Sequence, residues 1–76
     1  MNKYESEIFQ RAYQSYLMGG DLHTVNFNKK PEINKKNADA VKSLCDQGLV
    51  EITHESEIRI KFRLTDKGID LGSLQY

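Results

Sequence analysis

The sequence is 76 residues long and carries 11 basic and 11 acidic residues, so its formal net charge is zero. A chain of this length forms one small domain and cannot enclose both a hydrophobic core and a large active-site cavity. We therefore expect a single domain over residues 1–76 that is not an enzyme. The charges are unevenly distributed: residues 23–36 and 58–63 are basic, whereas residues 51–57 are acidic.

The sequence offers no sign of a membrane segment, a disulfide or a metal site. No apolar run approaches the roughly 20 residues that span a bilayer, and the first ten residues lack the apolar core of an export signal. Cys45 is the only cysteine, which suits a reducing compartment, so we predict a cytoplasmic protein. His23 and His54 stand in polar turns without a thiol or carboxylate at ligand spacing. We predict no metal and no cofactor.

The first predicted element is an amphipathic helix over residues 3–18. Apolar residues recur at intervals of three and four from Tyr4 onward, and a pair of glycines ends the pattern. An aromatic stripe of this kind is typical of a core or a dimer interface. We expect the aromatic surface of this helix to be larger than a small core can cover. We therefore predict a homodimer formed through this helix and the C-terminal tail. The aromatic residues behind this prediction are Phe9, Tyr13 and Tyr16.

The segment after the glycines, DLHTVNFNKKPEI, predicts a short strand followed by one or two helical turns. Val25 and Phe27 alternate as in a strand, and Pro31 disrupts a helix beyond its first turn. A main helix is predicted over residues 34–47, with Asn34 as its N-cap and a left-handed glycine at its end. The apolar stripe of this helix consists of Ala38, Val41, Leu44 and Cys45.

Beyond Leu49 the apolar period changes to two, which predicts an antiparallel hairpin over residues 49–64. Its second strand, IRIKFRL, alternates apolar residues, including Ile58, with basic ones. The following LTDKGIDLG predicts a helical turn capped by Thr65, and SLQY predicts a polar tail. The predicted core contains Ile8, Ala12, Leu17, Val41, Leu44, Leu49, Ile52, Ile60, Phe62 and Leu64.

This order of elements is that of a winged helix, and the chain resembles a known family over residues 33–69. The stretch INKKNADAVKSLCDQGLVEI, the hairpin and the LTDKG after it are similar to the recognition helix, wing and post-wing segment of winged-helix transcription regulators of the MarR and PadR type. The resemblance implies an α+β fold: helix, strand, short helix, helix, β-hairpin and short C-terminal helix. Where the family has an apolar second helix, this sequence has FNKKPEI.

The resemblance also implies a regulator that binds duplex DNA as a dimer. A recognition helix in the major groove presents its N-terminal side chains to base edges, where asparagine can bond adenine, while lysines contact phosphates. The residues expected to face DNA from this helix and the preceding loop are Lys29, Lys30, Lys35, Lys36, Asn37, Lys42 and Ser43. Asp39 and Ala40 share that face, and the carboxylate of Asp39 would repel phosphate.

The hairpin supports two interpretations. The outward side chains of its second strand are Arg59, Lys61 and Arg63. These basic groups could contact phosphates, or they could form a surface ion-pair ladder with Glu51. The turn carries Glu55 and Glu57, which are unfavourable beside DNA. The alternative function is therefore a winged-helix interaction module, such as an accessory or inhibitory protein of a mobile element or phage, that binds a protein through this acidic wing. An RNA-binding or purely structural role is a third possibility.

Overall fold

The computed structural model describes all 76 residues, which form three helices and three strands. The elements are α1 (Lys3–Leu17), β1 (His23–Asn26), α2 (Pro31–Asp46), β2 (Val50–Glu55), β3 (Arg59–Leu64) and α3 (Asp66–Gln75). The strands form one antiparallel sheet in the order β1-β3-β2. This is the predicted α+β, winged-helix-like arrangement, with the β2–β3 hairpin as the wing. None of the helices is long and apolar enough to cross a bilayer.

Helix α1 begins at a capping box formed by Asn2 and Glu5. The Glu5 amide donates to Asn2 Oδ1 at 2.9 Å, and the Asn2 amide donates to Glu5 Oε1 at 3.3 Å. Two backbone donors that the helix itself leaves unpaired are thereby satisfied. After Leu17 the chain turns through Gly19, whose φ of 92° lies in the left-handed region. The predicted helix over residues 3–18 is thus confirmed to within one residue.

Helix α2 begins three residues earlier than predicted, and no separate short helix precedes it. Pro31 occupies the first helical position, where its missing N–H would have had no helical partner anyway. Asn34 is consequently not the N-cap. Its side-chain amide instead donates to the Lys29 carbonyl at 2.9 Å and accepts from the Lys29 amide at 3.1 Å. The turn before α2 is held by this pair of bonds. Gly48 ends the helix with a φ of 77°, as predicted.

The buried stripe of α2 differs from the predicted one by a rotation about the helix axis. Ala40 is 3% exposed and packs in the core with Val41 and Leu44, so its assignment to the outer face was wrong. Ala38 and Cys45 are half-buried and pack against that core. Alanine is small enough for either face, and its position in the sequence did not distinguish the two.

The hairpin is confirmed, with Glu51 opposite Arg63 and Ile52 opposite Phe62. A bulge at Thr53 shifts the register of β2 before its last two residues. Ile58 was predicted to face inward but is 59% exposed, because β3 begins one residue later and Ile58 belongs to the turn.

The core forms where α1 and α2 meet the inner face of the sheet. Most of the predicted core residues are buried: Ile8, Ala12, Val41, Leu44, Leu49, Ile60 and Phe62. Ile52 and Leu64 are half-buried against it. Leu17 was predicted to be buried but is 62% exposed, because it is the last residue of α1 and the buried part of that helix ends at Tyr13.

The aromatic residues of α1 are largely covered within the chain, contrary to prediction. Phe9 is fully buried and Tyr13 is 6% exposed, whereas Tyr16 remains 40% exposed. The ring of Tyr76 covers the first two, with centroid distances of 6.3 Å to Phe9 and 6.2 Å to Tyr13. The aromatic excess from which a homodimer was predicted is therefore reduced to Tyr16.

Helix α3 is longer than the single turn predicted, since SLQ continues it to Gln75. Thr65 is its N-cap, as predicted, and accepts from the Gly68 amide at 3.1 Å. The two buried residues of the helix, Gly68 and Gly72, are both glycines and lie one turn apart on the same face. A Cβ on Gly68 would overlap the Leu49 carbonyl oxygen, and one on Gly72 would overlap the Tyr13 ring. These two glycines let α3 approach the rest of the domain closely.

Candidate nucleic-acid interface

Four exposed lysines surround the N-terminus of α2. They are Lys29, Lys30, Lys35 and Lys36, and we call them the lysine group. The helix dipole adds a partial positive charge at the same end. Pro31 has no amide and the Ile33 amide donates to the Lys30 carbonyl at 3.0 Å, so the first turn leaves only the Glu32 amide free. Lys35 Nζ lies 3.2 Å from Asp39 Oδ2, with both side chains largely exposed. The ammonium of Lys36 lies 5.5 Å from the centre of the Tyr4 ring, a cation–π distance.

Further along α2 the outer face is electrically balanced. Lys42 Nζ lies 3.3 Å from Glu55 Oε2 at the end of β2, so a lysine of the helix is paired with a carboxylate of the wing. Asp39 and Asp46 are exposed on the same side of the helix. Helix α2 itself carries three lysines and three acidic residues, including Glu32 in its first turn, so it has no net charge. The positive excess lies at its N-terminal end and depends on Lys29 and Lys30 of the preceding loop.

Ser43 is occupied inside the protein rather than directed to the surface. Its hydroxyl donates to Glu5 Oε2 at 3.0 Å, and Gln47 Nε2 donates to the same oxygen at 3.0 Å. These bonds join α2 to the N-terminus of α1. Burial alone raises the pKa of the Glu5 carboxyl, but the hydrogen bonds from Asn2, Ser43 and Gln47 outweigh it, and the pKa is lowered. The arrangement gives Ser43 a structural role.

Asn37 is half-buried and lies in a cleft beside α1 and β1, away from the outer face of α2 that carries Lys35 and Asp39. Its side-chain amide forms no hydrogen bond within the protein. This placement brings Asn37 together with Lys29 alone of the lysine group, and it separates Asn37 from the face that carries Lys35.

The basic stripe of β3 lies on the outer face of the sheet, as predicted, with its side chains half-buried. Arg63 is opposite Glu51 in register, but its guanidinium pairs with Asp21 of the α1–β1 loop at 3.3 Å. Arg59 and Lys61 form no ion pair at all. The predicted ladder with Glu51 is therefore absent, and the free charges of the stripe are those of Arg59 and Lys61.

The tip of the wing is a defined acidic turn. The amides of Ile58 and Arg59 both donate to Ser56 Oγ at 3.3 Å, and the Ser56 amide donates to the Arg59 carbonyl at 2.9 Å. Glu57 is exposed at this tip without an ion-pair partner. The wing tip thus presents one free carboxylate, Glu57, and one that is neutralised by Lys42, while Glu51 further along β2 is also exposed without an ion pair.

His23 contributes to packing. Its ring meets Phe62 edge-on at 5.4 Å between centroids. Burial and the nearby charge of Arg11 lower the pKa of His23. The structure brings together no three His, Cys, Asp or Glu side chains that could hold a metal ion.

Comparison with known proteins supports the fold. The sequence matches no known protein family profile, and no curated protein is similar to it. Among solved structures it is similar to AF1382 from Archaeoglobus fulgidus, with a TM-score of 0.69 and 23% sequence identity. The similarity covers 99% of this chain and 82% of that one. At this identity the likeness establishes the shared fold alone.

Sequence reasoning missed the internal partners of the candidate residues. Asp21, Glu5 and Glu55 lie 42, 38 and 13 positions from the side chains they contact. Glu55 was considered only as a free wing charge. No local pattern links such residues, whereas the Lys35–Asp39 pair has the four-residue spacing that a helix favours. The Lys35–Asp39 pair could therefore have been predicted from the sequence.

Proposed function

We propose that the protein binds duplex DNA through the N-terminal end of α2, as a small winged-helix transcription regulator of the MarR and PadR kind. The observation that carries the proposal is the lysine group: four exposed lysines gathered at the positive end of an exposed helix, of which one is ion-paired. Phosphate contacts of this kind supply most of the affinity of nucleic-acid-binding proteins.

The outer face of the sheet supplies further contacts. Arg59 and Lys61 are free of ion pairs and belong to the wing, so they are available to bind phosphates as well. Lys42 joins them once Glu55 releases it. We leave Ser43, Asn37 and Arg63 out of the proposed contact surface, because the first and last are bonded within the chain and Asn37 faces the cleft.

A dimer is part of this proposal, because one module of this size buries too little surface for tight binding to an operator. Exposed apolar side chains cluster around the end of α1 and suit self-association. They are Tyr16, Leu17, Met18 and Leu22. Sedimentation equilibrium tests this directly: we expect a dimer at micromolar concentrations, and a monomer at high concentration would contradict it.

Lysine variants test the DNA interface. We expect Lys35→Ala with Lys36→Ala to weaken binding to a random-sequence duplex and to lessen its salt dependence, by roughly one unit of slope per lost phosphate contact. Lys67→Ala is the control. Lys67 Nζ donates to the Gln47 carbonyl at the opposite end of α2, so this variant removes a lysine far from the interface. Equal losses in both variants would argue against the proposed surface.

The second candidate is a protein-interaction module that uses the wing. The Lys42–Glu55 pair favours it, because it neutralises the lysine that would extend the basic surface along α2, while Glu57 stays free at the wing tip. This function predicts no salt-sensitive DNA binding, together with loss of a protein partner when Glu55 and Glu57 are changed to glutamine.

A further inference from the structure

β1 is an edge strand with unpaired backbone groups. The Phe27 amide donates to the Ile58 carbonyl of the neighbouring chain segment at 2.9 Å. Because hydrogen-bonded and non-hydrogen-bonded pairs alternate in an antiparallel ladder, the amides and carbonyls of Thr24 and Asn26 point away from β3. Neither of these amides donates to a loop or turn acceptor. Edge groups of this kind are a template for an additional strand.

The free edge of β1 opens onto a cleft of about 300 Å³ bounded by α1 and the first turns of α2. Ile8, Val25 and Ile33 contribute apolar surface to it. The amides of Asn28 and Asn37 also line it, and neither makes a hydrogen bond within the protein. No cavity of this protein is lined by β2, the other edge strand. Of the two edge strands, only β1 therefore borders a cleft that could hold an additional chain segment.

The charge of the cleft is positive. Arg11 and Lys29 lie at its border, and neither forms an ion pair. Glu7, one turn before Arg11 on α1, is the only acidic residue in the lining and is not paired with it either. The lowered pKa of His23, caused by burial and then by the charge of Arg11, agrees with an uncompensated cation here.

We propose that this cleft binds an extended acidic segment of another protein, which adds to β1 as a fourth strand of the sheet. The backbone groups of Thr24 and Asn26 supply ladder hydrogen bonds, which require a peptide backbone in the partner. One apolar side chain of the segment packs on Ile8 and Ile33. Carboxylates of the segment meet Arg11 and Lys29.

This surface is separate from the DNA contacts proposed for Arg59 and Lys61, whose side chains lie on the outer face of the sheet. Lys29 alone is common to both. The peptide site can therefore exist whether or not the protein binds DNA, and Arg11, which lies outside the lysine group, is the residue that distinguishes them.

The test is an NMR titration of the ¹⁵N-labelled full chain with the peptide acetyl-Glu-Asp-Ile-Thr-Ile-Glu-Asp-amide. Before addition, the amide hydrogens of Thr24 and Asn26 should exchange with solvent much faster than those of Val25 and Phe27. We expect saturable shifts confined to β1 and the cleft, and slower exchange at Thr24 and Asn26. Two control peptides accompany it: one with lysine at every acidic position, and one with N-methylated backbone amides.

Two variants locate the site. Arg11→Glu should weaken binding of the acidic peptide by roughly fivefold to tenfold, the effect of reversing one partly exposed charge. Thr24→Pro removes an amide on the free edge of β1 without removing a hydrogen bond to β3, so it should abolish the hydrogen bonds between β1 and the peptide. If the Thr24→Pro variant does not fold, the Arg11→Glu variant alone tests the site. Arg59→Glu carries the same charge change on the outer face and should leave peptide binding unchanged.

Several results would overturn the proposal. In the titration, these are an absence of chemical-shift changes at millimolar peptide, or changes centred outside the cleft. Among the controls, they are binding of the lysine or N-methylated peptide as tight as that of the acidic peptide, and equal losses of peptide affinity for Arg11→Glu and Arg59→Glu. Binding of short duplex DNA to the same cleft residues in place of the peptide would likewise overturn it. If the protein does not bind DNA through the lysine group, the proposed function is contradicted. The peptide-binding result does not depend on that outcome.

Discussion

Lys42 of α2 and Glu55 of β2 form an ion pair of 3.3 Å that connects the exposed helix to the wing. Both side chains are about half exposed, at 55% and 49%, so the pair stabilises the fold by no more than about 1 kcal/mol. Its consequence for function is larger than its consequence for stability. As long as the pair persists, the carboxylate competes with any phosphate that approaches Lys42.

Removal of the wing carboxylates should therefore help DNA binding. With Glu55→Gln and Glu57→Gln together, we expect affinity for duplex DNA to be unchanged or improved, because Lys42 is released and a repulsive charge is removed. Asp70→Asn, an exposed acid on α3 outside the proposed DNA interface, is a control for the general effect of losing an acid. A mobility-shift titration measures both, and a marked loss of affinity in the wing variant would speak for the protein-binding alternative.

The close approach of α3 rests on two glycines. In an exposed helix, replacement of glycine by alanine stabilises by about 0.5–1 kcal/mol. Here the added Cβ overlaps the Leu49 carbonyl or the Tyr13 ring, so Gly68→Ala and Gly72→Ala should each destabilise by about 1–3 kcal/mol or more. Ser73→Ala, on the exposed side of α3, should be nearly neutral. Urea denaturation measures all three, and stabilisation by Gly72→Ala would show that α3 does not pack as described.

Truncation within the core should have the largest effect on stability. Leu44 is fully buried between α2, α1 and the sheet. Leu44→Ala should cost about 2–5 kcal/mol, which is enough to unfold a domain of this size. Leu74→Ala, at a position that is 84% exposed, is the matched control. Circular dichroism during thermal unfolding would separate the two, and similar melting temperatures would contradict the assigned core.

Stability should fall in two steps on acidification. His23 has a lowered pKa in the folded protein, so the unfolded chain binds its proton first and stability decreases below about pH 6.5. Glu5 also has a lowered pKa, so a second loss begins below about pH 4.3. His23→Gln should remove the first step and Glu5→Gln the second. Denaturant midpoints measured from pH 8 to pH 3 test this. If the pH dependence of stability in both variants is the same as in the unchanged protein, these assignments are contradicted.

The extent to which the sequence predicts the structure depends on the range of the interactions. The hairpin, Gly48 and Thr65 were correctly predicted, because alternation, a left-handed glycine and an N-cap are local patterns. Pro31 was misinterpreted as a disruption, although the first helical turn accepts it.

The candidate site was less predictable than the fold. Its lysines could be found from composition, but the burial of Ala40 and the ion pairs of Lys42 and Arg63 depend on how the helix is rotated and on residues distant in sequence. The cleft beside β1 could not be found from the sequence, because it exists only between three elements.

The measurement that tests DNA binding most directly is a salt series with a random-sequence duplex. If the lysine group contacts phosphates, the logarithm of the association constant falls linearly with the logarithm of salt concentration, with a slope of about −0.9 per phosphate contacted. For four lysines we expect a slope near −3 to −4 per chain. Absence of binding at low salt, or an affinity that does not change with salt, would contradict the account.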